Sequence, residues 1–230
     1  MIKNIINRIV YKERATPKTY CKYLKKRCLF FGDYVFFVNT HKTYIDKDAL
    51  PFIHIGNYCQ ILSGVTILAH DESYSVCGLV YGDYPRRQKI TFIGDNVFIG
   101  MNSIVLMGAH IGNNVIVGAG SVVSGNLDDN SVYAGNPAKK IMSLDEYYEK
   151  HSGDFIDSAY LYIETFISTH KRIPSIEECH VYSLLFDDRI KNGRNKWPEA
   201  NKKVNDTNGA RKKYDSVEDF LNAYETKLNL

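Results

Sequence analysis

The sequence predicts a mainly β protein, a parallel β-helix shaped as a triangular prism, with helical segments at both ends. The first observation is a run of aliphatic residues spaced six apart: Ile93, Ile99, Val105, Ile111, Val117 and Val123. The second is a shorter run with the same spacing: Ile55, Ile61 and Ile67. The third is a glycine directly after the aliphatic residue in four of the six hexads of the longer run. Neither the helix period nor the strand period sustains such a repeat, which is typical of solenoids.

Each hexad is interpreted as one face of the prism. Its aliphatic residue points inward and stacks on its equivalents, and three hexads close a coil of about 18 residues, so the two runs predict a stack of about three coils. Glycine or asparagine after the inward residue suits a sharp corner, where left-handed backbone costs these residues least. Small residues such as Cys59, Ala109 and Ser121 suit a tapering interior. An antiparallel sandwich is the alternative, and nine hexads in register argue against it.

We expect the prism to occupy residues 32–141, after a basic N-terminal segment, residues 1–31. That segment holds nine lysines and arginines against one glutamate. Its apolar residues fall on one helical face: Met1, Ile2, Ile5, Ile6, Ile9 and Val10. The helix is interpreted as a cap on the open end of the solenoid or, alternatively, as a peripheral contact with an anionic membrane surface. Polar residues interrupt it too early for a signal peptide, and no nucleic-acid recognition module accompanies the charge.

A helical extension is expected over residues 142–230. Capping boxes at Ser143–Glu146 and Pro174–Glu178 each predict the start of a helix, and a final helix is expected from Ser216. Residues 187–214 are polar and predict an exposed loop around Trp197. We expect this extension to serve packing and oligomer or acceptor contacts rather than chemistry.

The five cysteines show neither metal-ligand nor disulfide-framework spacing. This usage indicates reduced thiols in a cytoplasm, with Cys59 acting as a small buried hydrophobe. No stretch of the sequence reads as a transmembrane helix. We therefore expect a cytoplasmic protein, with the inner face of the membrane as an option that depends on residues 1–31.

Residues 93–141 read IGDNVFIGMNSIVLMGAHIGNNVIVGAGSVVSGNLDDNSVYAGNPAKKI. This segment resembles the last coils and closing loop of the hexapeptide-repeat acyltransferases, in the branch of the maltose and galactoside acetyltransferases. The resemblance covers residues 31–142 and is most specific in the GAGSVV and AGNPAKKI stretches. It implies a left-handed β-helix and an acetyl-CoA-dependent O-acetyltransferase acting on a saccharide of a capsule, O-antigen or related glycan. It also implies a homotrimer in which two neighbouring prisms form each active site.

The candidate catalytic residue is His70, which ends a hexad strand where the repeat is interrupted by residues 71–89. The resemblance implies that His70 is a general base. An alcohol must lose its proton as it attacks a thioester, and imidazole titrates near neutral pH. No acyl-enzyme is required. Asp71 or a backbone carbonyl would orient the ring.

The resemblance also implies contacts with acetyl-CoA and with the acceptor. Its groove positions for the cofactor fall on Met101, Ala119 and Ser124. Lys139 and Lys140 match positions that meet the nucleotide phosphate, although two solvated lysines are the alternative. Acceptor positions align with Asn39 and with Asp46 or Asp48, and the excursion offers Tyr84 and Arg86 to cover the substrates. Two departures stand out: Gly125 replaces a lysine and Phe98 replaces a tryptophan of the family pattern.

The hexad pattern also bears on three further histidines and on the alternative functions. His110 is expected at the surface, whereas His41 and His54 are candidates for acceptor contact. A zinc enzyme on this fold would need three converging histidines, and the position five residues past His110 is Val115, so no metal is expected. An N-acyltransferase acting on an amino-sugar nucleotide and a non-catalytic scaffold stay open as alternatives.

Overall fold

The computed structural model describes residues 10–186 and 214–228. The chain divides into two compact units, Met1–Tyr147 and Tyr148–Leu230. Most of the predicted N-terminal amphipathic helix, residues 1–9, lies outside the described residues, as does the loop predicted around Trp197. Within the described part of the chain, no helix is both long and apolar enough to cross a membrane.

The first unit is a left-handed parallel β-helix. Its strands, in chain order, are β1 (Phe30–Phe31), β2 (Phe36–Phe37), β3 (Tyr44–Ile45), β4 (Ile53–Ile55), β5 (Gln60–Ile61), β6 (Thr66–Ile67), β7 (His70–Asp71), β8 (Arg87–Gln88), β9 (Thr91–Ile93), β10 (Phe98–Ile99), β11 (Ile104–Val105), β12 (His110–Ile111), β13 (Val115–Val117), β14 (Val122–Val123), β15 (Asn126–Leu127), β16 (Ser131–Ala134) and β17 (Lys139–Ser143).

Three parallel sheets form the faces of the prism. The first face has the order β1-β4-β9-β12-β15, the second β2-β5-β10-β13-β16, and the third β3-β6-β11-β14. Strand β17 adds antiparallel to β16 and closes the second face. The stack therefore has four coils and part of a fifth, where the sequence predicted about three. The first coil was missed because Phe31 and Phe37 are aromatic and because Ile45 follows Phe37 by eight residues instead of six.

The interior of the stack confirms the predicted inward positions. All nine aliphatic residues of the two runs are fully buried, and burying each stabilises the fold by roughly 1.5–3 kcal/mol. Cys59, Ala109 and Ser121 are buried with them. Gly100 lies at a corner that packs closely on the corner of the next coil. A side chain is excluded there, because an added Cβ would lie 2.5 Å from the backbone nitrogen of Ala119.

One corner of the prism carries an asparagine ladder. Asn96, Asn114 and Asn130 adopt left-handed backbone, with φ angles of 54°, 56° and 53°. The side-chain amide of Asn96 donates to Asn114 over 2.9 Å, and that of Asn114 donates to Asn130 over 2.9 Å. The asparagines therefore supply both the backbone geometry of the corner and hydrogen bonds between successive coils.

A short helix joins the core at the start of the stack. After a 3₁₀ turn (Lys12–Ala15), α1 (Pro17–Lys25) begins with a capping box formed by Thr16 and Thr19. Tyr20 and Leu24 are buried in the same core as the first coil, and the Tyr20 ring lies 5.2 Å from that of Phe37. Helix α1 thus packs on the first coil, and its role as a cap stays a prediction.

The remaining helices are α2 (Tyr74–Tyr81) in the excursion, α3 (Leu144–Ser152), α4 (Asp154–His170) and α5 (Val217–Leu228). The predicted capping box at Ser143 and the helix start predicted at Ser216 both precede helices: the backbone of Glu146 donates to Ser143 Oγ over 3.1 Å, and that of Asp219 to Ser216 Oγ over 3.0 Å. In the second unit, the core is formed by Ala159, Ile163, Cys179, Leu185, Phe186, Val217 and Phe220.

The helix predicted from Pro174 does not form. Its capping contact is present, since the backbone of Ser175 donates to Glu178 over 2.9 Å. The segment nevertheless continues as turns and a 3₁₀ helix (His180–Leu185). His180 has a φ of 50°, which ends any right-handed helix at that point.

Candidate active site

His70 lies where the third face of the prism gives way to the excursion. Strand β7 pairs antiparallel with β8, so the two ends of residues 71–89 are held side by side. An ion pair between Asp71 and Arg87 joins these strands, and Asp71 also accepts from the backbone of Ser73 over 2.8 Å. Asp71 is therefore used to close the excursion, and the prediction that it would orient His70 is not borne out.

The group that orients His70 is Asp46, from the first coil. Its Oδ2 accepts the backbone N–H of Ala69 over 2.9 Å and that of His70 over 3.1 Å, and the same oxygen contacts His70 Nδ1. A carboxylate facing Nδ1 accepts a hydrogen bond from the N–H of that nitrogen and leaves Nε2 as the basic one. Asp46 is 0% exposed, so it lies beneath the ring instead of in the predicted contact with the acceptor.

Asp46 is placed there by the register of the stack. Tyr44 pairs with Thr66 and Ile45 with Ile67, which sets Asp46 beside Leu68 and within reach of the next two residues. Its second oxygen, Oδ1, is buried without a hydrogen-bond partner among the described residues. Only one oxygen of the buried carboxylate is therefore hydrogen-bonded, and its negative charge favours the protonated, positively charged form of the His70 imidazole.

The other nitrogen of the ring faces the solvent side. Nε2 lies 3.2 Å from Glu72 Oε1, and the Glu72 side chain is 76% exposed. The hydrogen bond to Asp46 raises the pKa of His70, burial opposes the rise, and Glu72 adds to it. A hydroxyl that is to give its proton to Nε2 must therefore replace Glu72 at that nitrogen.

A cavity of about 530 Å³ opens at His70. Its apolar surface comes from Leu68, Leu106 and Met107. Its carboxylates are Asp48, Asp71 and Glu72, and Tyr44 completes the lining. A concave site of this size, with a few convergent polar groups and a basic imidazole, has the features of a small-ligand site.

The residues predicted to hold acetyl-CoA lie apart from this cavity. Met101, Ala119 and Ser124 are exposed at the outer surface of the prism, and the Met101 carbonyl accepts the backbone N–H of Gly120 over 2.8 Å. Lys139 and Lys140 are exposed on β17, with Lys140 Nζ 3.4 Å from Asp128. Their assignment to the cofactor stays a prediction.

The predicted acceptor residues are also distributed. The side chain of Asn39 accepts the backbone N–H groups of His41 and Lys42, over 3.0 and 3.2 Å, and so forms a turn. Arg86 lies over the Tyr74 ring, 5.3 Å from its centroid, and Tyr84 packs against the same ring. All of these lie outside the lining of the cavity at His70, whereas Asp48 is part of it.

The other histidines have structural contacts. His54 stacks between Phe30 and Phe92 with centroid distances of 4.7 and 4.1 Å, and Phe92 in turn stacks on His110 at 4.5 Å. His110 is exposed, as predicted. His41 packs against Tyr11 in a tilted arrangement, with ring centroids 3.8 Å apart. The row of rings from Phe30 through His54 and Phe92 to His110 runs along the outside of the first face of the prism. Each inner ring of the row is covered on both sides by its neighbours.

Sequence reasoning missed Glu72 and Tyr44. Glu72 was within reach of the pattern, because residues two apart on a strand share a face and Glu72 follows His70 by two. Tyr44 and the role of Asp46 depended on the first coil, which the sixfold count did not include. Among the residues that the structure describes, no group of three or more histidine, cysteine or acidic side chains is arranged to hold a metal ion.

Comparison with known proteins agrees with this architecture. Residues 90–125 match the family model described as bacterial transferase hexapeptide (six repeats). The chain is 50% identical over 98 residues to Protein CapG of Staphylococcus aureus, covering 43% of this chain and 56% of that protein. It is 55% identical over 120 residues to WbbJ of Escherichia coli strain K12, named as a candidate lipopolysaccharide biosynthesis O-acetyl transferase, covering 49% and 59%.

A third relative is a Saccharomyces cerevisiae protein named as a candidate acetyltransferase, YJL218W. It is 46% identical over 132 residues, covering 56% of this chain and 62% of that protein. The chain thus spans about three-fifths of the length of these curated relatives. Residues 90–125, the coils that follow the interruption after His70, are thus similar to the bacterial transferase hexapeptide repeat.

Proposed function

We propose that this protein is an acetyl-CoA-dependent O-acetyltransferase that acts on a hydroxyl of a saccharide, with His70 as the general base. One observation carries the proposal: an imidazole held at Nδ1 by a buried carboxylate presents Nε2 to a cavity. The names of the relatives support the reaction class, since they include acetyltransferases and a lipopolysaccharide O-acetyl transferase.

The proposed reaction is a direct transfer. Nε2 of His70 takes the hydroxyl proton as the acceptor oxygen attacks the thioester carbonyl and forms the new C–O bond. The C–S bond then breaks, and the imidazolium returns the proton to the departing thiolate. The products are an acetyl ester and free CoA, so atoms and charges balance. Asp46 keeps the ring in the tautomer that this cycle needs and stabilises the imidazolium. Positioned general-base catalysis contributes roughly 10²- to 10⁴-fold in rate.

We further propose that the active protein is a homotrimer. Met101, Ala119, Ser124, Lys139 and Lys140 would then bind the cofactor in a groove that a neighbouring prism completes. A trimer is supported only by the family resemblance, as is a cytoplasmic location. Sedimentation or light scattering with and without CoA would test the assembly, and a monomer in both states would contradict it.

N-acetyl transfer to an amino sugar is the second candidate. It is favoured by the carboxylates of Asp48 and Glu72 in the cavity lining, since these would attract an ammonium group. The two candidates differ only in the acceptor atom, and both use His70 as the base.

The experiment is a thiol-release assay with acetyl-CoA and matched acceptors: saccharides, their amino-sugar analogues, and nucleotide-linked and lipid-linked forms. We expect CoA release that depends on the acceptor, with a gain of one acetyl group in the product. His70→Ala should lower the rate roughly 10²- to 10⁴-fold. His110→Ala is the matched control, because His110 is exposed and lies outside the cavity, and it should keep the wild-type rate. Full activity in His70→Ala would overturn the proposed role.

A further inference from the structure

A second cavity shares a wall with the cavity at His70. Its volume is about 330 Å³, and its polar lining consists of Glu13, Arg14, Lys47 and the side chains of Tyr20, Tyr23 and Tyr44. Tyr44 lines both cavities. Lys47 and Asp48 are neighbours in the chain and line one cavity each. The two cavities therefore adjoin at Tyr44.

The two cavities differ in charge. Three carboxylates line the one at His70, of which Asp71 is paired with Arg87, whereas two cations and one carboxylate line the second. Arg14 is half-buried, with its guanidinium 5.5 Å from the centre of the Tyr20 ring. Within the described residues, none of the ion pairs includes Arg14 or Lys47. Arg14 also contacts the Tyr20 hydroxyl and Lys47 is exposed, so an anionic ligand would add to these contacts.

The tyrosines provide neutral hydrogen-bond donors in the same cavity as these cations. Burial raises the pKa of Tyr20 to about 12, although Arg14 acts in the opposite direction. Burial also raises the pKa of Tyr44, and the nearby charge of Asp46 adds to the rise. Both phenols therefore keep their protons, and an O–H group can donate to an anion where a phenolate would repel it.

We propose that the second cavity binds the phosphate of a phosphorylated saccharide, so that the acceptor is a glycosyl phosphate or diphosphate with its sugar at His70 and its phosphate between Arg14 and Lys47. This inference rests on the proposed function. A guanidinium binds phosphate oxygens through two parallel hydrogen bonds, and an ammonium adds a point charge. The carboxylates at the other end repel phosphate, so the two cavities together fix the direction in which the acceptor lies.

Binding tests this subsite without any turnover. The probe is inorganic pyrophosphate, and its binding to the full chain is measured by calorimetric titration. Arg14→Gln should weaken binding about tenfold to a hundredfold, since a hydrogen bond to a charged partner is lost. Lys47→Glu, at an exposed position that cannot disturb the core, should weaken it at least about fivefold. Lys22→Gln is the control, because Lys22 is exposed on α1 and lies outside both cavities.

The coenzyme also carries a diphosphate, and Lys139→Gln separates the two sites. Binding that is lost in Lys139→Gln and kept in Arg14→Gln and Lys47→Glu would overturn the proposal. Equal affinity of all variants for pyrophosphate would overturn it as well. These outcomes do not depend on acetyl transfer, so failure of the subsite and failure of the proposed function are distinguishable.

Kinetics then identify the source of the phosphate. Nucleotide-linked and polyprenyl-linked sugar diphosphates are compared with the corresponding free sugars in the thiol-release assay. We expect the phosphorylated acceptors to have KM values at least about tenfold lower, and Arg14→Gln to raise KM with little change in kcat. Free sugars that match or exceed the phosphorylated ones would contradict the proposal.

Discussion

The interior of the prism and the wall of the cavity at His70 are built on opposite principles. In the interior, the same kind of residue recurs at every sixth position, and each is covered by its equivalent in the next coil. At the cavity, one column of equivalent positions changes character from coil to coil. Asp46, Leu68, Leu106 and Ser124 occupy this column, as the hydrogen bonds from each of the first three to the next coil indicate.

This difference explains where chemistry is possible on such a fold. Regular positions are interchangeable and supply a rigid frame, whereas a reactive group must be unlike its neighbours in the stack. Asp46 and His70 depart from the apolar pattern, and the chain leaves the coil path directly after His70. A substitution in the interior should therefore act on stability, and a substitution at the cavity should act on rate.

The largest expected effect is that of Asp46→Asn on the rate. The asparagine carbonyl would take the place of Oδ2 as acceptor, but the negative charge that stabilises the imidazolium would be lost, so we expect acetyl transfer to fall roughly 10²-fold. The thermal midpoint should change little beside this loss in rate. Asp48→Asn is the matched control, and it should alter the KM for the acceptor only a few-fold because an exposed carboxylate contributes little. Similar rates for Asp46→Asn and the wild type would remove the carboxylate from the mechanism.

Ile99→Ala tests the other side of the comparison. Ile99 is fully buried between Ile61 and Val117 of the neighbouring coils. We expect a loss of about 2–5 kcal/mol in the free energy of unfolding from the cavity left behind, measured by denaturant titration. Under conditions where the variant is folded, kcat should stay near that of the wild type. Val76→Ala, on the exposed surface of α2, should change stability by less than about 0.5 kcal/mol. Equal stabilities of these two variants would contradict the stacked interior.

The smallest effect is that of Glu72→Gln on the pH profile. Glu72 raises the pKa of His70 less than Asp46 does. The base is active when deprotonated, so removing this charge lowers its pKa and moves the acidic limb of kcat/KM to lower pH. The rate near neutral pH should rise or fall only a few-fold. Measuring kcat/KM from acidic to alkaline pH locates this limb in Glu72→Gln and in the wild type. A limb at higher pH in the variant would contradict the contact at Nε2.

The sequence was sufficient for the regular part of this molecule because a sixfold period leaves few alternatives. Ile55 to Ile67 and Ile93 to Val123 specified both the inward positions and the register between coils. The interruption after His70 could also be predicted, because the regular repeat on either side of it shows where the pattern stops. The helix at Val217 followed from its capping serine and its apolar spacing.

Other features depended on contacts that no local pattern reports. Asp46 precedes His70 by 24 residues, and the two meet only because the first coil pairs with the second. That coil contains an eight-residue step between Phe37 and Ile45, so its register could not be counted from the hexads. The segment after Ser175 carries a capping box, yet it forms turns up to the left-handed backbone at His180, where a 3₁₀ helix begins.

The most direct measurement of the central claim is the pH dependence of kcat/KM in the wild type beside His70→Ala. Since Asp46 raises the pKa of His70 above its ordinary value of 6.5, we predict that wild-type kcat/KM increases with pH through one ionisation above 6.5. The residual activity of His70→Ala should lack that ionisation. A wild-type profile that is flat across this range, or one that survives unchanged in His70→Ala, would contradict the assignment of this imidazole as the base.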